Sequence, residues 1–389
     1  MKRALPVLLL VIVVTVVARA ADQKPAAADH AGWDRAAAAK YLDDRMDLWF
    51  TNAKKLRTGD EKTTCVSCHS SIPYALARPV LRRAMHASVP AAEETRLTDE
   101  TTRRVESYGT HEVLYEMNDV KKSESRGTEA VLNTVVLASA DAAAGRREPS
   151  EAMRKALNRL WEIQRPDGAW DWLNFKLEPY ETVDAVYHGA TLAAIGVGMV
   201  PGAGTEGSMA VGAGRLRAYL RENFAAQSLY NRTFALLAST GLSDVLSHAQ
   251  RDALVAELGQ RQQADGGWSL QAMGPWRWSA TEPPFKPQGT PDPALLAQSD
   301  GFATGLIVYT MLRNGLRADH PAVSAGVRWL KMHQQDIHVD DRAWTAWRAY
   351  SLNADREHGG PGGDTWRRLF MSDAATAFSV LALIEAESK

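Results

Sequence analysis

The 389-residue sequence lacks most of the features that assign a protein to a class at once. It has only two cysteines, a formal net charge of −1, and no basic patch that would indicate nucleic acid or anionic lipid as a partner. No long apolar run follows the first twenty residues, so we expect no transmembrane segment in the mature chain. These absences argue against a nucleic-acid-binding protein and against a membrane-spanning one.

Both cysteines lie in one motif of the form C-x-x-C-H, which runs from Cys65 to His69. Two thiols at this spacing can form thioethers with the vinyl groups of a haem, and the adjacent histidine can bind the iron. We therefore expect covalent haem c on Cys65 and Cys68, with His69 as the proximal ligand. A redox dithiol, a metal clip and a structural disulfide are the alternatives. No zinc is expected.

The N-terminus has the pattern of a secretory signal peptide. A short basic start precedes the apolar run 7–17, and an A-x-A cleavage site ends at Ala20. We predict removal of residues 1–20, a flexible leader over 21–32, and a periplasmic or secreted mature protein with a formal charge of −4. An uncleaved N-terminal anchor is the alternative.

The remainder of the chain has helical periodicity. From Trp33 onward, amphipathic segments alternate with segments that are apolar on all sides, in about twelve helices, and no convincing strand pattern occurs. Helices apolar on all sides are buried, whereas amphipathic ones face water on one side. We predict an all-α fold: one α/α toroid over residues 33–389, with an inner and an outer ring in about six helix pairs. An open α-solenoid is the alternative.

Long loops follow the outer helices of this predicted ring at 171–181, 271–298 and 336–371. Each joins an outer helix to an inner one, so all of them should lie on the same rim. Loops of this length within a compact domain are usually functional. The C-x-x-C-H motif lies on the first such connection, so we expect it at the same mouth of the toroid.

Two stretches fit the pattern Q-x-x-D-G-x-W: Gln164–Trp170 reads QRPDGAW, and Gln262–Trp268 reads QQADGGW. A degraded third copy is predicted from Gln335 to Trp344. These stretches resemble the repeat of the squalene cyclase and protein prenyltransferase family, and SDGFATGL and SDAATAFSVLAL look like that family's inner helices. The resemblance covers residues 150–389 and implies an α/α toroid.

The same resemblance implies less about activity. The Asp-X-Asp-Asp motif of squalene cyclases is absent, and no cysteine is left over for a prenyltransferase zinc site. In the repeat itself we expect structural roles. Asp-Gly forms a tight turn, the glutamine amide binds free helix-end groups, and the tryptophan covers the turn.

Polar residues gather where the predicted inner helices begin. The candidate catalytic residues are Asp184, His188, Asp300 and Asp373. Asp184 and His188 are spaced i and i+4, so we expect a facing pair in which the carboxylate raises the imidazole pKa. Asp300 and Asp373 also suit N-cap positions. Glu178 and Glu181 flank the adjacent loop and add acid/base capacity.

Candidates for a second axial haem ligand follow the motif. We prefer Met85 or His111 to His86 and Met117, and His188 reaches the haem only if the ring closes as predicted. A five-coordinate iron with an open position is the alternative.

The main functional hypothesis is a periplasmic c-type haem protein on this toroid, acting in electron transfer or in oxidation of an apolar small molecule. Its partners would be a periplasmic redox protein or that apolar molecule. The alternatives are an isoprenoid cyclase-like enzyme and a non-catalytic toroid that binds a lipid, a glycan or a protein. Rim aromatics favour the binding hypothesis: Trp276, Trp278, Trp347 and Trp366. A polysaccharide-processing toroid is compatible with the same features.

Overall fold

The structure is a computed structural model that describes residues 32–203, 207–276, 292–353 and 365–389. The predicted signal peptide, nearly all of the predicted leader, Trp278, and residues 277–291 and 354–364 of the predicted long loops lie outside the described residues. Residues Gly32–Lys389 belong to one unit of the fold. Among the helices described, none is long and apolar enough to cross a membrane.

Helices of two kinds alternate along the chain, as predicted. The outer helices are α1 (Arg35–Asn52), α3 (Ala92–Glu106), α5 (Glu151–Glu162), α7 (Gly207–Asn223), α9 (His248–Gln260) and α12 (Pro321–Met332). The inner helices are α2 (Ser71–Ala84), α4 (Asp119–Ala143), α6 (Ala185–Gly198), α8 (Leu229–Ala238), α11 (Gly301–Arg313) and α13 (Phe370–Glu387). A short helix, α10 (Pro293–Leu296), precedes α11.

The inner helices form a closed ring. Each packs on the next in the order α2, α4, α6, α8, α11 and α13, and α13 packs in turn on α2. This closure excludes the open solenoid and confirms the α/α toroid. Small residues let the inner helices approach closely: a Cβ atom at Gly305 of α11 would lie 2.5 Å from the Ser379 nitrogen of α13.

Polar caps set where several helices begin. The Asp34 and Asn118 side chains each accept a hydrogen bond at 2.8 Å from the backbone three residues later, and Ser150 does so at 3.2 Å. At Ser247 the capping is reciprocal, because Gln250 also bonds back to the Ser247 nitrogen at 2.9 Å. Unpaired N–H groups in a first helical turn are satisfied in this way.

The two Q-x-x-D-G-x-W repeats form matching hydrogen bonds. The Gln164 amide donates to the carbonyls of Gly168 and Gly212 at 2.9 and 3.0 Å, and the Trp170 indole donates to Leu160 at 2.8 Å. The second repeat is equivalent: Gln262 donates to Gly266 and Ala322 at 2.8 and 2.9 Å, and Trp268 to Leu258 at 2.8 Å. Each repeat therefore fastens the end of one outer helix to the next outer helix.

The third repeat differs from the prediction. The indole that bonds the end of α12 belongs to Trp347, which donates to the Leu330 carbonyl at 2.8 Å, whereas Trp344 donates to Asp44. The shift arises because a hairpin of β3 (Gln335–Val339) and β4 (Arg342–Ala346) is inserted between α12 and Trp347. The pattern predicted a third tryptophan that bonds the end of an outer helix, but it placed this tryptophan three residues too early.

A second small hairpin precedes the C-x-x-C-H motif. Strands β1 (Lys55–Thr58) and β2 (Glu61–Thr64) pair across a turn in which Gly59 has a φ of +61°. These strands were not predicted, because a strand of four residues is too short for a clear alternation of apolar and polar residues. Both hairpins lie on outer-to-inner connections and do not change the all-α class.

We expect the Trp347→Phe variant to lose about 2 to 4 kcal/mol of unfolding free energy, because it removes the indole donor to the Leu330 carbonyl, which keeps only the His333 amide at 3.2 Å, and reduces packing around a fully buried ring. Trp344→Phe is the matched control and should cost less, since the Asp44 side chain that it bonds is one-third exposed. Urea unfolding of both variants measures the difference. An equal or larger loss for Trp344→Phe would contradict the assignment of the third repeat.

Candidate functional site

A cavity of about 380 Å³ lies at the rim where outer helices lead into inner ones. Its walls come from the C-x-x-C-H motif, from the start of α4 with the segment before it, and from the connections that precede α6 and α13. These are segments that the helix alternation predicted to share one mouth. Cys65, Cys68 and His69 thus face the same space as Glu178 and Glu181.

The motif itself is folded tightly against the protein. Cys68 is 9% exposed, and the Ser67 carbonyl accepts the first hydrogen bond of α2 from Ile72 at 3.0 Å. Burial raises the pKa of the Cys65 thiol to about 12, and it raises that of Cys68 further, with a contribution from the charge of Glu181. Both thiols are therefore neutral at physiological pH and are poor nucleophiles.

The His69 ring is held by hydrogen bonding and by several aromatic contacts. It stacks on Phe370 with the ring centroids 3.9 Å apart and meets the edge of Trp49 at 5.2 Å. Its Nδ1 atom lies 3.0 Å from the Ser70 hydroxyl. The imidazole is thus fixed in the cavity wall.

Ser70 sets the tautomer of His69. Its hydroxyl donates its only proton to the Asp373 carboxylate at 2.6 Å, so toward His69 the same oxygen can only accept. The His69 proton therefore sits on Nδ1, and Nε2 is the acceptor nitrogen.

Asp373 is a structural anchor in this arrangement. Its carboxylate also accepts hydrogen bonds from Tyr41 at 2.9 Å and from Arg45 at 2.6 and 3.1 Å. Asp373 and Arg45 are each 4% exposed, so this is a buried ion pair. The predicted catalytic candidate Asp373 thus reaches the cavity only through Ser70 and His69.

Glu181 is a carboxyl group of the cavity wall. Its backbone pairs with Leu177 through bonds of 2.8 and 3.0 Å, which fixes the position of the residue. Its side chain forms no hydrogen bond within the described part of the chain. Burial raises the pKa of Glu181 from its ordinary 4.5 to about 7, although the positive charge of Lys121 opposes the shift.

Glu178 lies in the same loop and joins it to a distant segment. Its backbone nitrogen donates to the Asn353 side chain at 2.8 Å, and the Asn353 amide donates to its carbonyl at 2.6 Å. The Glu178 side chain is 5% exposed and accepts a hydrogen bond from Thr182 at 3.5 Å. Asn353 therefore fastens the Glu181 loop across the rim of the toroid.

A third cavity carboxylate, Glu129 of α4, has the opposite electrostatics. Burial alone would raise its pKa, but the bonds to His111 and Arg104 outweigh burial and lower it. Arg104 lies 2.5 Å from one oxygen of Glu129, and His111 lies 3.4 Å from the other. Glu129 is therefore ionised at the pH where Glu181 is partly protonated.

The predicted pair of Asp184 and His188 does not form. Helix α6 begins after Asp184, and His188 points into a cluster of aromatic rings that includes Phe234 and Tyr230, at centroid distances of 4.6 and 5.3 Å. Burial is the cause of a His188 pKa of about 3, the reverse of the predicted increase. The prediction from the i, i+4 spacing was wrong because Asp184 precedes the first turn of α6, so the two side chains do not share one helical face.

Asp300 caps α11, as the alternative interpretation of that residue allowed. Its carboxylate accepts hydrogen bonds from the nitrogens of Phe302, Ala303 and Leu270 at 2.9, 2.9 and 2.5 Å. Burial raises its pKa to about 7 against the effect of these bonds. Asp300 does not line the cavity.

The structure places neither preferred second axial ligand in the cavity. Met85 follows the last residue of α2, so the length of this 14-residue helix, about 20 Å, separates it from the motif. His111 contacts the Ser107 carbonyl with Nδ1 at 3.1 Å and Glu129 with Nε2 at 3.4 Å. Within the described residues, no group of three or more His, Cys, Asp or Glu side chains is arranged to hold a metal ion.

Several site residues gave no signal in the sequence. Ser70, Arg45 and Tyr41 acquire their roles only through Asp373, which is separated from each of them by more than 300 positions. Tyr180 was likewise missed, although its proximity to the predicted Glu178 and Glu181 was a usable signal. Its ring lines the cavity and lies 6.3 Å from that of His69.

The fold is similar to that of solved toroidal proteins. One is described as a substituted UGL with dGlcA-Glc-Rha-Glc; the TM-score is 0.52 at 11% identity, covering 89% of this chain and 94% of that one. Another is an unsaturated glucuronyl hydrolase from Streptococcus agalactiae, with a TM-score of 0.43 at 13% identity, covering 89% and 91%. No protein-family model matches the sequence. No curated protein matches it either.

This comparison contradicts the prediction of a haem protein for electron transfer or for oxidation of an apolar small molecule. The similar toroid is described with a saccharide, and three glutamates, Glu129, Glu178 and Glu181, line the cavity of this one. The fold therefore gives no support to a role for iron or for electron transfer. Attachment of haem c to Cys65 and Cys68 stays a prediction from the motif.

The raised pKa of Glu181 makes stability depend on pH. The folded state holds this proton more tightly than the unfolded chain does, so its contribution is full below about pH 4.5 and is lost as the pH rises to about 7. We expect Glu181→Gln to match the wild type at pH 4 and to exceed it at pH 8 by up to about 3 kcal/mol.

Chemical denaturation at both pH values measures this difference. The control is Glu162→Gln on the surface of α5, where the side chain is 67% exposed and, among the described residues, pairs only with Arg159. A difference between Glu181→Gln and the wild type that is the same at pH 4 and pH 8 would refute the assigned shift.

The hydrogen bonds of Ser70 predict the tautomer of His69. In protein labelled with ¹⁵N at histidine, His69 should show the Nδ1–H form, and Ser70→Ala should move it toward the Nε2–H form. Ser71→Ala is the matched control, because Ser71 is equally buried but bonds only to Ser67. An Nε2–H tautomer in the wild type would show that the hydrogen bonds connecting Asp373, Ser70 and His69 are not formed.

Proposed function

We propose that the protein binds a carbohydrate chain in the rim cavity of its toroid. The observation that carries this proposal is the composition of the cavity wall, which contains both aromatic rings and hydrogen-bonding side chains. A site of this kind suits a ligand that has both apolar faces and many hydroxyl groups.

The aromatic part of the wall is a connected cluster. Trp366 contacts Phe370 and Trp49, at centroid distances of 5.2 and 5.7 Å, and Phe370 stacks on His69. Trp366 is only half-buried, so part of its ring surface is available to a ligand. Sugar rings stack on such surfaces through their C–H faces.

The polar part of the wall offers both donors and acceptors. Glu178 and Glu181 can accept hydrogen bonds from hydroxyl groups, while Lys54 and Arg367 can donate them. A saccharide hydroxyl both donates and accepts, so it matches this mixture. An isoprenoid does not, which argues against the cyclase-like alternative and against a lipid ligand.

The similar toroid described with a saccharide supports the same ligand class. Kinship with the squalene cyclase and prenyltransferase family remains a proposal that rests on the Q-x-x-D-G-x-W repeats. These repeats account for the architecture and not for the cavity, because their side chains bond helix ends.

The place of action remains a proposal from the N-terminal pattern. A signal peptide over residues 1–20 would deliver the protein to the periplasm or the exterior, where carbohydrate chains are accessible.

Trp366→Ala tests the binding proposal. We expect the Kd for a bound oligosaccharide to rise about tenfold, since an aromatic contact of this kind contributes about 1.5 kcal/mol. Calorimetry with neutral and acidic oligosaccharides, dGlcA-Glc-Rha-Glc among them, provides the measurement.

The matched control is Trp161→Ala. Trp161 is also half-buried, but it packs on Trp170 at 6.0 Å and lies outside the cavity, so its Kd should stay within twofold of the wild type. If wild-type protein binds none of the oligosaccharides, the proposed function is wrong.

A further inference from the structure

We propose that Glu181 is the general acid for cleavage of a glycosidic bond in the carbohydrate held by the cavity. This inference rests on the proposed function and adds a reaction to it. It stands first on geometry, because Glu181 lines the cavity, its backbone is held in place by the bonds to Leu177, and its side chain makes no hydrogen bond among the described residues.

The other two carboxylates of the cavity, unlike Glu181, have side-chain partners. Glu129 bonds Arg104 and His111, and Glu178 bonds Thr182. Two carboxyl groups whose environments push their pKa values apart are the usual basis for separate acid and charge-stabilising roles. Here the pKa of Glu181 is raised and that of Glu129 is lowered.

Both carboxylates belong to the cavity wall that Cys65 and Cys68 also line. Glu181 lies in the loop before α6, whereas Glu129 lies on α4, so different elements of the fold hold the two groups. A sugar bound in the cavity would therefore meet a proton donor from one element and a negative charge from the other.

The reaction balances as a hydrolysis. Glu181 gives its proton to the glycosidic oxygen, and the bond from that oxygen to the anomeric carbon breaks. The Glu129 carboxylate stabilises the positive charge that develops on the sugar. Water then bonds to the anomeric carbon and gives a proton to the Glu181 carboxylate, which restores the residue. One water is consumed, two sugars are released, and no oxidant or reductant takes part.

The charged and titratable groups that act on Glu181 define the pH dependence. They are Lys121 of α4, which opposes the pKa increase, together with Cys68 and Tyr115, whose own pKa values are raised by burial and by the Glu181 charge. None of these groups donates a hydrogen bond to the carboxyl. Activity should therefore fall as the pH rises through about 7, because Glu181 then loses the proton that it must donate.

The test compares Glu181→Gln with wild-type protein on two substrates that have the same sugar. One is an oligosaccharide that the wild type binds in calorimetry, and the other is its dinitrophenyl glycoside, whose leaving group needs no proton. We expect Glu181→Gln to hydrolyse the oligosaccharide at least about 100-fold more slowly than the wild type. It should still bind that oligosaccharide in calorimetry. It should release dinitrophenolate with a near-normal kcat/KM, because this quantity reports the bond cleavage, which here needs no proton, and not the later water step in which Glu181 accepts one.

Glu162→Gln is the control for a remote carboxylate and should match the wild type on both substrates. Equal oligosaccharide cleavage by Glu181→Gln and the wild type would overturn the role of Glu181. Binding without cleavage by the wild type would overturn the hydrolysis but leave the proposed function standing. Failure of the wild type to bind any oligosaccharide would overturn both.

Discussion

The buried carboxylate of Asp373 connects the two ends of the toroid and the wall of its cavity. It lies on the last inner helix and bonds Arg45 and Tyr41 of the first outer helix, as well as Ser70 just before the first inner helix. An ion pair at 4% exposure is costly to form unless its remaining hydrogen bonds are satisfied, and here the carboxylate has four donors. Removing one partner would leave an uncompensated charge exactly where the ring closes.

The same network extends into the site. Arg45 also donates to the backbone carbonyl of Trp366 at 2.7 Å, and Trp366 is the residue that we propose for carbohydrate binding. Ser70 connects the Asp373 carboxylate to the His69 ring. Ring closure and site geometry are thus set by one cluster of side chains. A cavity built from several separate connections can hold a defined shape because these contacts, and the bond between Asn353 and the Glu178 loop, fasten the connections together.

The sequence was informative where structure follows from local periodicity. Alternation of amphipathic and apolar helices predicted the two rings, and the position of the long connections predicted a common rim. The Q-x-x-D-G-x-W repeats predicted a structural role for Gln164 and Trp170 that the hydrogen bonds confirm. The prediction failed at Trp344, since a hairpin inserted after α12 moves the equivalent indole to Trp347.

Site chemistry was less predictable, because it depends on residues far apart in sequence. No local pattern relates Asp373 to Ser70, or Glu129 to Arg104. The spacing of Asp184 and His188 suggested a pair that the helix start does not allow. The C-x-x-C-H motif indicated chemistry for a separate cofactor, whereas in the fold its histidine is part of a hydrogen-bonded wall that includes Ser70 and Phe370.

Glu181 shows most clearly what a sequence can and cannot specify. Its position beside a long rim loop was enough to mark it as a candidate acid or base. Its protonation near neutral pH, however, arises because burial at the cavity wall raises its pKa, and only the charge of Lys121 opposes this increase. Burial is in turn a property of the assembled ring. The same glutamate on an open solenoid would be solvated and ionised, with no proton to donate at neutral pH. Closure of the inner ring, with the last inner helix packed on the first, is thus the physical condition for the chemistry proposed at its mouth.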